Sequence, residues 1–180
     1  FTRNRAKEGM SGLKTSFKAA NLVDLLRYRA NDRPKEIPYT FLLDGETDAV
    51  SLTHEQLDLQ VRAIAAHLQS ISSPGDRVLL LYPPGLDYIA AFFGCLYAGV
   101  VAIPAYPPRP NRSLSRFQSI IKDAEATIAL TNSASIPGLE RTIAQTPGLE
   151  KLELVAGDRL DLKLAERWRE PEIASDALAF

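Results

Sequence analysis

The sequence predicts an α/β fold: a mostly parallel, doubly wound sheet with flanking helices, plus a small N-terminal hairpin. Three observations carry this. Short apolar runs bounded by breakers, at residues 77–82, 100–103, 127–131 and 152–155, are too short for helices and read as strands. Helical patterns separate them, the alternation that βαβ units need. From Tyr88 to Tyr106 no side chain is charged, as a helix and strand buried on both sides require. A membrane span is excluded, because the apolar run 89–103 is shorter than the roughly 20 residues a spanning helix needs. Gly94, Gly99 and Pro104 also divide it.

Each element has a local reason. Asn21 is placed to cap a helix over 22–30, with Leu22, Leu25, Leu26 and Arg29 on neighbouring turns and Pro34 stopping it. Residues 39–43 and 49–52 flank the turn Asp44-Gly-Glu-Thr-Asp48 and predict the hairpin. Thr53 and Gln56 form a capping box before Leu57, Val61, Ile64, Ala65 and Leu68, which recur at helical spacing. After the strand at 77–82, a buried helix spans about 85–98 and ends at Gly99, ahead of the β-branched strand 100–103. A helix at 113–123 carries Leu114, Phe117, Ile120 and Ile121 on one face, and a short one at 137–145 precedes the strand at 152–155. Residues 160–168 are helical or irregular, 171–176 read as a loop, and 177–180 open another strand. Because the chain stops inside that run, it is expected to be a piece of a longer domain. Residues 1–20, which begin without Met and carry Arg3, Arg5 and Lys7, read as a flexible leader or an expression-derived tail, with Met10 a possible natural start. With no apolar signal core after them, the expected compartment is the cytoplasm.

The composition, 46% hydrophobic and 24% charged over 180 residues, is that of a globular chain. A net charge of −1 argues against nucleic acid as the main partner. One cysteine, Cys95, excludes an internal disulfide and sits in the uncharged helix, where a buried structural thiol is expected over a nucleophile. His54 and His67 have no ligand partners at metal spacing, so solvated or capping roles are expected and no metal site is assigned.

In parallel sheets, ligands bind beyond the carboxyl ends of the strands, which directs attention to loops 83–87, 104–113 and 132–137. The middle loop, Tyr106-Pro-Pro-Arg-Pro-Asn-Arg112, is stiffened by three prolines and presents Arg109 and Arg112 beside a helix start. Two readings stand. The arginines either grip phosphate oxygens, or pair with surface carboxylates after a proline-terminated strand. No Walker, dinucleotide-binding or nucleophile-elbow motif occurs, Tyr82-Pro-Pro-Gly-Leu-Asp87 has one glycine only, and no catalytic triad can be assembled from spacing.

Several segments carry a resemblance to adenylate-forming enzymes, and within them to fatty acyl-AMP ligases. Leu52-Thr-His-Glu-Gln-Leu57 resembles the first core motif of the superfamily, with His54 where Tyr is common. Cys95-Leu-Tyr-Ala-Gly-Val-Val-Ala-Ile-Pro104 resembles the second. The stretch 75–87, Tyr106-Pro-Pro-Arg-Pro-Asn-Arg112 and Ile120-Ile-Lys-Asp-Ala-Glu-Ala126 look like the acyl-AMP ligase branch. The resemblance covers roughly residues 21–180 and implies the first, incomplete part of the large N-terminal domain.

The resemblance further implies that the full-length enzyme uses ATP and magnesium to join a fatty acid to AMP. It then passes the acyl group to the phosphopantetheine thiol of an acyl carrier protein in polyketide, nonribosomal peptide or lipid assembly. The family's phosphate loop and catalytic lysine are expected beyond Phe180, so no catalytic residue is assigned here. Tyr106, Arg109 and Arg112 are expected near the substrate or acceptor, and the piece alone is expected to be inactive. A long-chain acyl-CoA synthetase relative is a second reading, distinguished by CoA as acceptor. A truncated, non-enzymatic acyl- or partner-binding module is a third, distinguished by binding without further sequence. An open sheet edge would also favour self-association.

Overall fold

The computed structural model describes residues 17–108, 114–174 and 176–180. Its elements run α1 (Leu22–Asp32), β1 (Tyr39–Leu42), β2 (Ala49–Leu52), α2 (His54–Ile71), β3 (Arg77–Leu80), α3 (Leu86–Ala98), β4 (Val101–Pro104), α4 (Ser115–Ala124), β5 (Ile128–Thr131), α5 (Ile136–Ala144) and β6 (Glu153–Ala156). Two 3-10 turns, Gly157–Arg159 and Leu162–Arg167, follow. Most of the leader assigned to residues 1–20 lies outside the described residues.

The capping residues set the helix starts. The Asn21 side chain accepts from the Asp24 amide at 2.9 Å. At α2 the box is reciprocal: Thr53 Oγ1 accepts from the Gln56 amide at 3.3 Å, and Gln56 Oε1 from the Thr53 amide at 2.9 Å. Gly99 ends α3 at φ 76°, a left-handed conformation that costs glycine little. On α1, Val23, Leu26 and Ala30 are buried while Leu22 and Leu25 are exposed, because the stripe that meets the neighbouring helices decides burial, not leucine content.

β1 and β2 pair antiparallel around the turn at Asp44. There Asp44 Oδ1 accepts the amides of Glu46, Thr47 and Asp48, each at 2.9 Å. These bonds, led by that from the Glu46 amide, hold its pKa down at about 2 against an ordinary 3.8. A carboxylate whose pKa is depressed on folding adds stability above its unfolded value and loses that contribution as pH falls through the folded one. An NMR titration is therefore expected to give Asp44 a midpoint near 2, and the hairpin amide shifts should move with it. A midpoint near 3.8 would mean that the turn bonds do not hold in solution.

The other four strands form a parallel sheet in the order β4-β3-β5-β6. Val78 of the central strand β3 stands beside Ala102 of β4 and Ile128 of β5. Alternation along β3 feeds two cores. Val78, Leu80 and Tyr82 join Leu57, Val61, Leu68, Ala91 and Tyr97 from α2 and α3. Leu79 and Leu81 join Phe117, Ile121 and Leu139 from α4 and α5 on the opposite face. Helices thus cover both faces, as a doubly wound sheet requires.

Residues 162–167, read as helical or irregular, form a 3-10 turn. One late segment departs from its sequence reading. Residues 177–180 form no strand, but the Ala179 carbonyl accepts from the Ala102 amide at 2.9 Å, one ladder bond on the free edge of β4.

A polar group in the first core ties the helices together. Asp58, 4% exposed, accepts from Arg62 Nε at 2.8 Å, Arg27 Nη1 at 3.1 Å and Tyr97 Oη at 3.2 Å. Arg27 also stacks 5.1 Å above the Trp168 ring, whose Nε1 donates to the Tyr97 carbonyl. No helix of the described residues is long and apolar enough to cross a membrane.

Candidate functional site

Two adjacent strands end in the same tripeptide. Tyr82-Pro83-Pro84 follows β3 and Tyr106-Pro107-Pro108 follows β4. Proline offers no amide to a ladder, so pairing stops and both chains leave the sheet in fixed directions. Pro104 itself is the register partner of Leu80 and sits at the strand end, where a lost ladder bond is tolerated. Between the two departing chains lies a cleft of about 350 Å³. Its walls include Tyr82, Pro83 and Pro84 from one loop, Tyr88 from the first turn of α3, and Ala105 and Tyr106 from the other.

The cleft is mostly apolar and aromatic. Tyr82 is 6% exposed and forms part of its wall, while Tyr106 is 83% exposed. Burial pushes the Tyr82 phenol far above its ordinary pKa, so it stays protonated. The helix that starts beside the cleft has Gly85 at its N-cap and no side-chain cap. Such a surface suits an aliphatic chain or the thin arm of a cofactor better than a charged polymer.

Of the residues singled out from sequence, Tyr106 lies on this cleft. Arg109 and Arg112 lie outside the described residues. Sequence reasoning did not single out Tyr82 and Tyr88; the repeated Tyr-Pro-Pro signal after two consecutive strands pointed to Tyr82, while Tyr88 lies in the uncharged stretch of α3 with no local mark. Cys95 is fully buried and its thiol is pushed up by burial, which removes it as a nucleophile. Burial also lowers the His54 pKa, and its Nδ1 has no partner among the described residues. No group of three or more His, Cys, Asp or Glu among the described residues is placed to hold a metal ion, so no step is assigned to magnesium within this part of the fold.

The fold and the cleft at its strand ends fit a known class. Residues 26–178 match the family model described as AMP-binding enzyme, and the chain belongs to that family. Its relatives within that family include fatty acyl-AMP ligases. The chain is 41% identical over 165 residues to the medium-chain-fatty-acid–[acyl-carrier-protein] ligase JamA of Moorena producens, covering 89% of this chain and 28% of that protein. It is 31% identical to the long-chain-fatty-acid–AMP ligase FadD32 of Mycobacterium marinum, covering 84% of this chain and 25% of that one. The crystal structure of a fatty acyl-adenylate ligase from L. pneumophila, in complex with acyl adenylate and pyrophosphate, superposes with a TM-score of 0.79 at 37% identity. That match covers 89% of this chain and 27% of the crystallised one. The chain thus spans little more than a quarter of the length of the relatives it matches.

Proposed function

We propose that the chain forms the first part of the large domain of an ATP-dependent fatty acyl-AMP ligase. The observation that carries this is the aromatic, proline-walled cleft at the carboxyl ends of β3 and β4. It sits on a fold shared with an enzyme crystallised with acyl adenylate and pyrophosphate. In this reading a fatty carboxylate oxygen attacks the α-phosphorus of ATP, an O–P bond forms, and pyrophosphate leaves with the electrons of the bond that breaks. The acyl carbon of the mixed anhydride is then taken by the phosphopantetheine thiol of an acyl carrier protein, and AMP departs. The name of JamA supports the carrier protein as acceptor.

The contribution of these residues is positional. The sheet fixes the two Tyr-Pro-Pro loops, and their apolar wall excludes water from a thin chain laid along it. ATP, with magnesium, supplies the leaving group and the charge neutralisation when bound. Tyr106, with Arg109 and Arg112 on the same loop in sequence, belongs to the substrate or acceptor side.

The test is pyrophosphate release by the full-length protein over a series of fatty acids, with acyl transfer to a phosphopantetheinylated carrier and to CoA measured side by side. Fatty-acid-dependent pyrophosphate release and transfer to the carrier are expected. Acyl-CoA as the main product would replace this reading with an acyl-CoA synthetase. The isolated 180-residue chain is expected to release no pyrophosphate. Tyr106→Ala in the full-length enzyme is expected to raise KM for acid or carrier roughly three- to tenfold, the effect of losing one aromatic contact of about 1 kcal/mol.

A further inference from the structure

We propose that a second, polar pocket on the α2 side of β3 is a binding site for a small primary alkylammonium ion. The pocket, of about 260 Å³, is lined by Gln60 and Ile64 of α2, Tyr82 beyond β3, Asp87 of α3, and Gly157 and Asp158 beyond β6. Its place follows from the winding. The chain crosses from β3 to β4 on one side, then back over β3 to β5 on the other, and open α/β sheets bind ligands beyond the strand ends where the order reverses.

The first sign of a ligand is an unsatisfied group. The Tyr82 hydroxyl is buried and has no hydrogen-bond partner among the described residues. Leaving a buried hydroxyl unpaired costs about 1–3 kcal/mol. The fold also keeps space for it: a Cβ at Gly157 would stand 2.6 Å from that oxygen. Any side chain there would displace the phenol.

Two carboxylates complete the site. Asp87 is exposed yet makes no hydrogen bond or ion pair among the described residues, and partial desolvation and the nearby Asp158 charge penalise its ionised form. Asp158 is held in place by Ser133, whose amide donates to Oδ1 at 2.7 Å and whose Oγ donates to Oδ2 at 2.6 Å. Its remaining lone pairs stay available. A protonated primary amine carries three N–H donors and no acceptor. It therefore matches two carboxylates and one phenol oxygen, and it relieves the repulsion between the carboxylates. Ala63, Ala90 and Leu160 line the same pocket and suit the methylenes. A bare divalent cation fits less well, since no group of three or more acid, His or Cys side chains gathers there among the described residues.

The experiment is a calorimetric titration of the full-length protein with n-butylammonium chloride, against tetramethylammonium chloride at equal ionic strength. Saturable one-site binding of n-butylammonium alone is expected, since the tetramethyl ion has no N–H to give. Asp87→Asn is expected to weaken it at least about tenfold, as loss of a charge-assisted bond implies. Tyr82→Phe should weaken binding roughly fivefold while leaving the thermal midpoint of the ligand-free protein unchanged or higher, because an orphaned hydroxyl has gone. That combination is one a purely structural tyrosine would not produce, and it holds even if Asp87→Asn fails to fold. Equal responses to both cations, no binding, or unchanged binding in Tyr82→Phe would overturn the proposal.

Discussion

Asp58→Ala is expected to destabilise the chain by about 2 kcal/mol, which for a domain of this size lowers the thermal midpoint by roughly 4–8 °C. The carboxylate holds Arg62, Arg27 and Tyr97 at 2.8, 3.1 and 3.2 Å from the inside of the first core. Removing it strands the buried Tyr97 hydroxyl and leaves two guanidinium groups facing each other without a counter-charge. The full 3–5 kcal/mol cost of breaking a buried pair is not expected. The side chains of Arg27 and Arg62 keep 34% and 24% of their exposure, so water recovers part of the loss. Asp58→Asn should fall between, since it keeps an acceptor and loses the charge. Trp168 is the one tryptophan of the sequence and lies under Arg27, so its fluorescence reports the change directly. An unchanged emission maximum together with an unchanged midpoint would mean that the network contributes nothing to stability.

Gly94→Val is expected to cost about 3 kcal/mol, at the upper end of the usual penalty for overpacking. A Cβ at Gly94 would stand 2.5 Å from Ile64 Cγ2 and 2.9 Å from Ile64 Cβ, so α2 and α3 would have to move apart. The second contact decides the sign. Ile64 Cβ is fixed to the α2 backbone, and no rotamer change can carry it away. Gly94→Ala separates the two effects at work. Alanine gains roughly 1 kcal/mol of helix propensity over glycine but meets the same Ile64 atoms, so a smaller net loss of ~1–2 kcal/mol is expected. Combining Gly94→Ala with Ile64→Ala should cost less than the sum of the two single changes, because removing Cγ2 relieves the closest contact. Chemical denaturation of the four proteins measures this, and strict additivity would rule out the clash.

Both sites show where sequence reading stopped. Gly94 was legible only as a divider of an apolar run, because the reason for it lies 30 positions away on another helix. Asp58 sits between Leu57 and Val61 in the amphipathic pattern of α2, with nothing local to mark it as buried. Its partners come from α1, α3 and its own helix. Of the three tyrosines of the cleft, Tyr82 and Tyr88 were equally quiet. Tyr82 read as the end of a strand, and only the pairing of β3 with β4 brings it to the same cleft as Tyr106.

By itself the sequence determined the element order, the helix starts at Asn21 and Thr53, the end of α3 at Gly99, the hairpin, and membership of a βαβ-type sheet. Those features rest on contacts within four residues or on periodicity along one element, and such interactions act before any distant segment is in place. Tertiary structure alone decided the strand order β4-β3-β5-β6, the buried face of α1, the Asp58 network and the meeting of the two Tyr-Pro-Pro loops. Each of those joins segments tens of residues apart. Arg62 Nη1, for example, donates to the carbonyl of Ala165 at 3.1 Å, across 103 positions of sequence. The entropy of closing so long a loop is recovered only when several such contacts form together in one packed core.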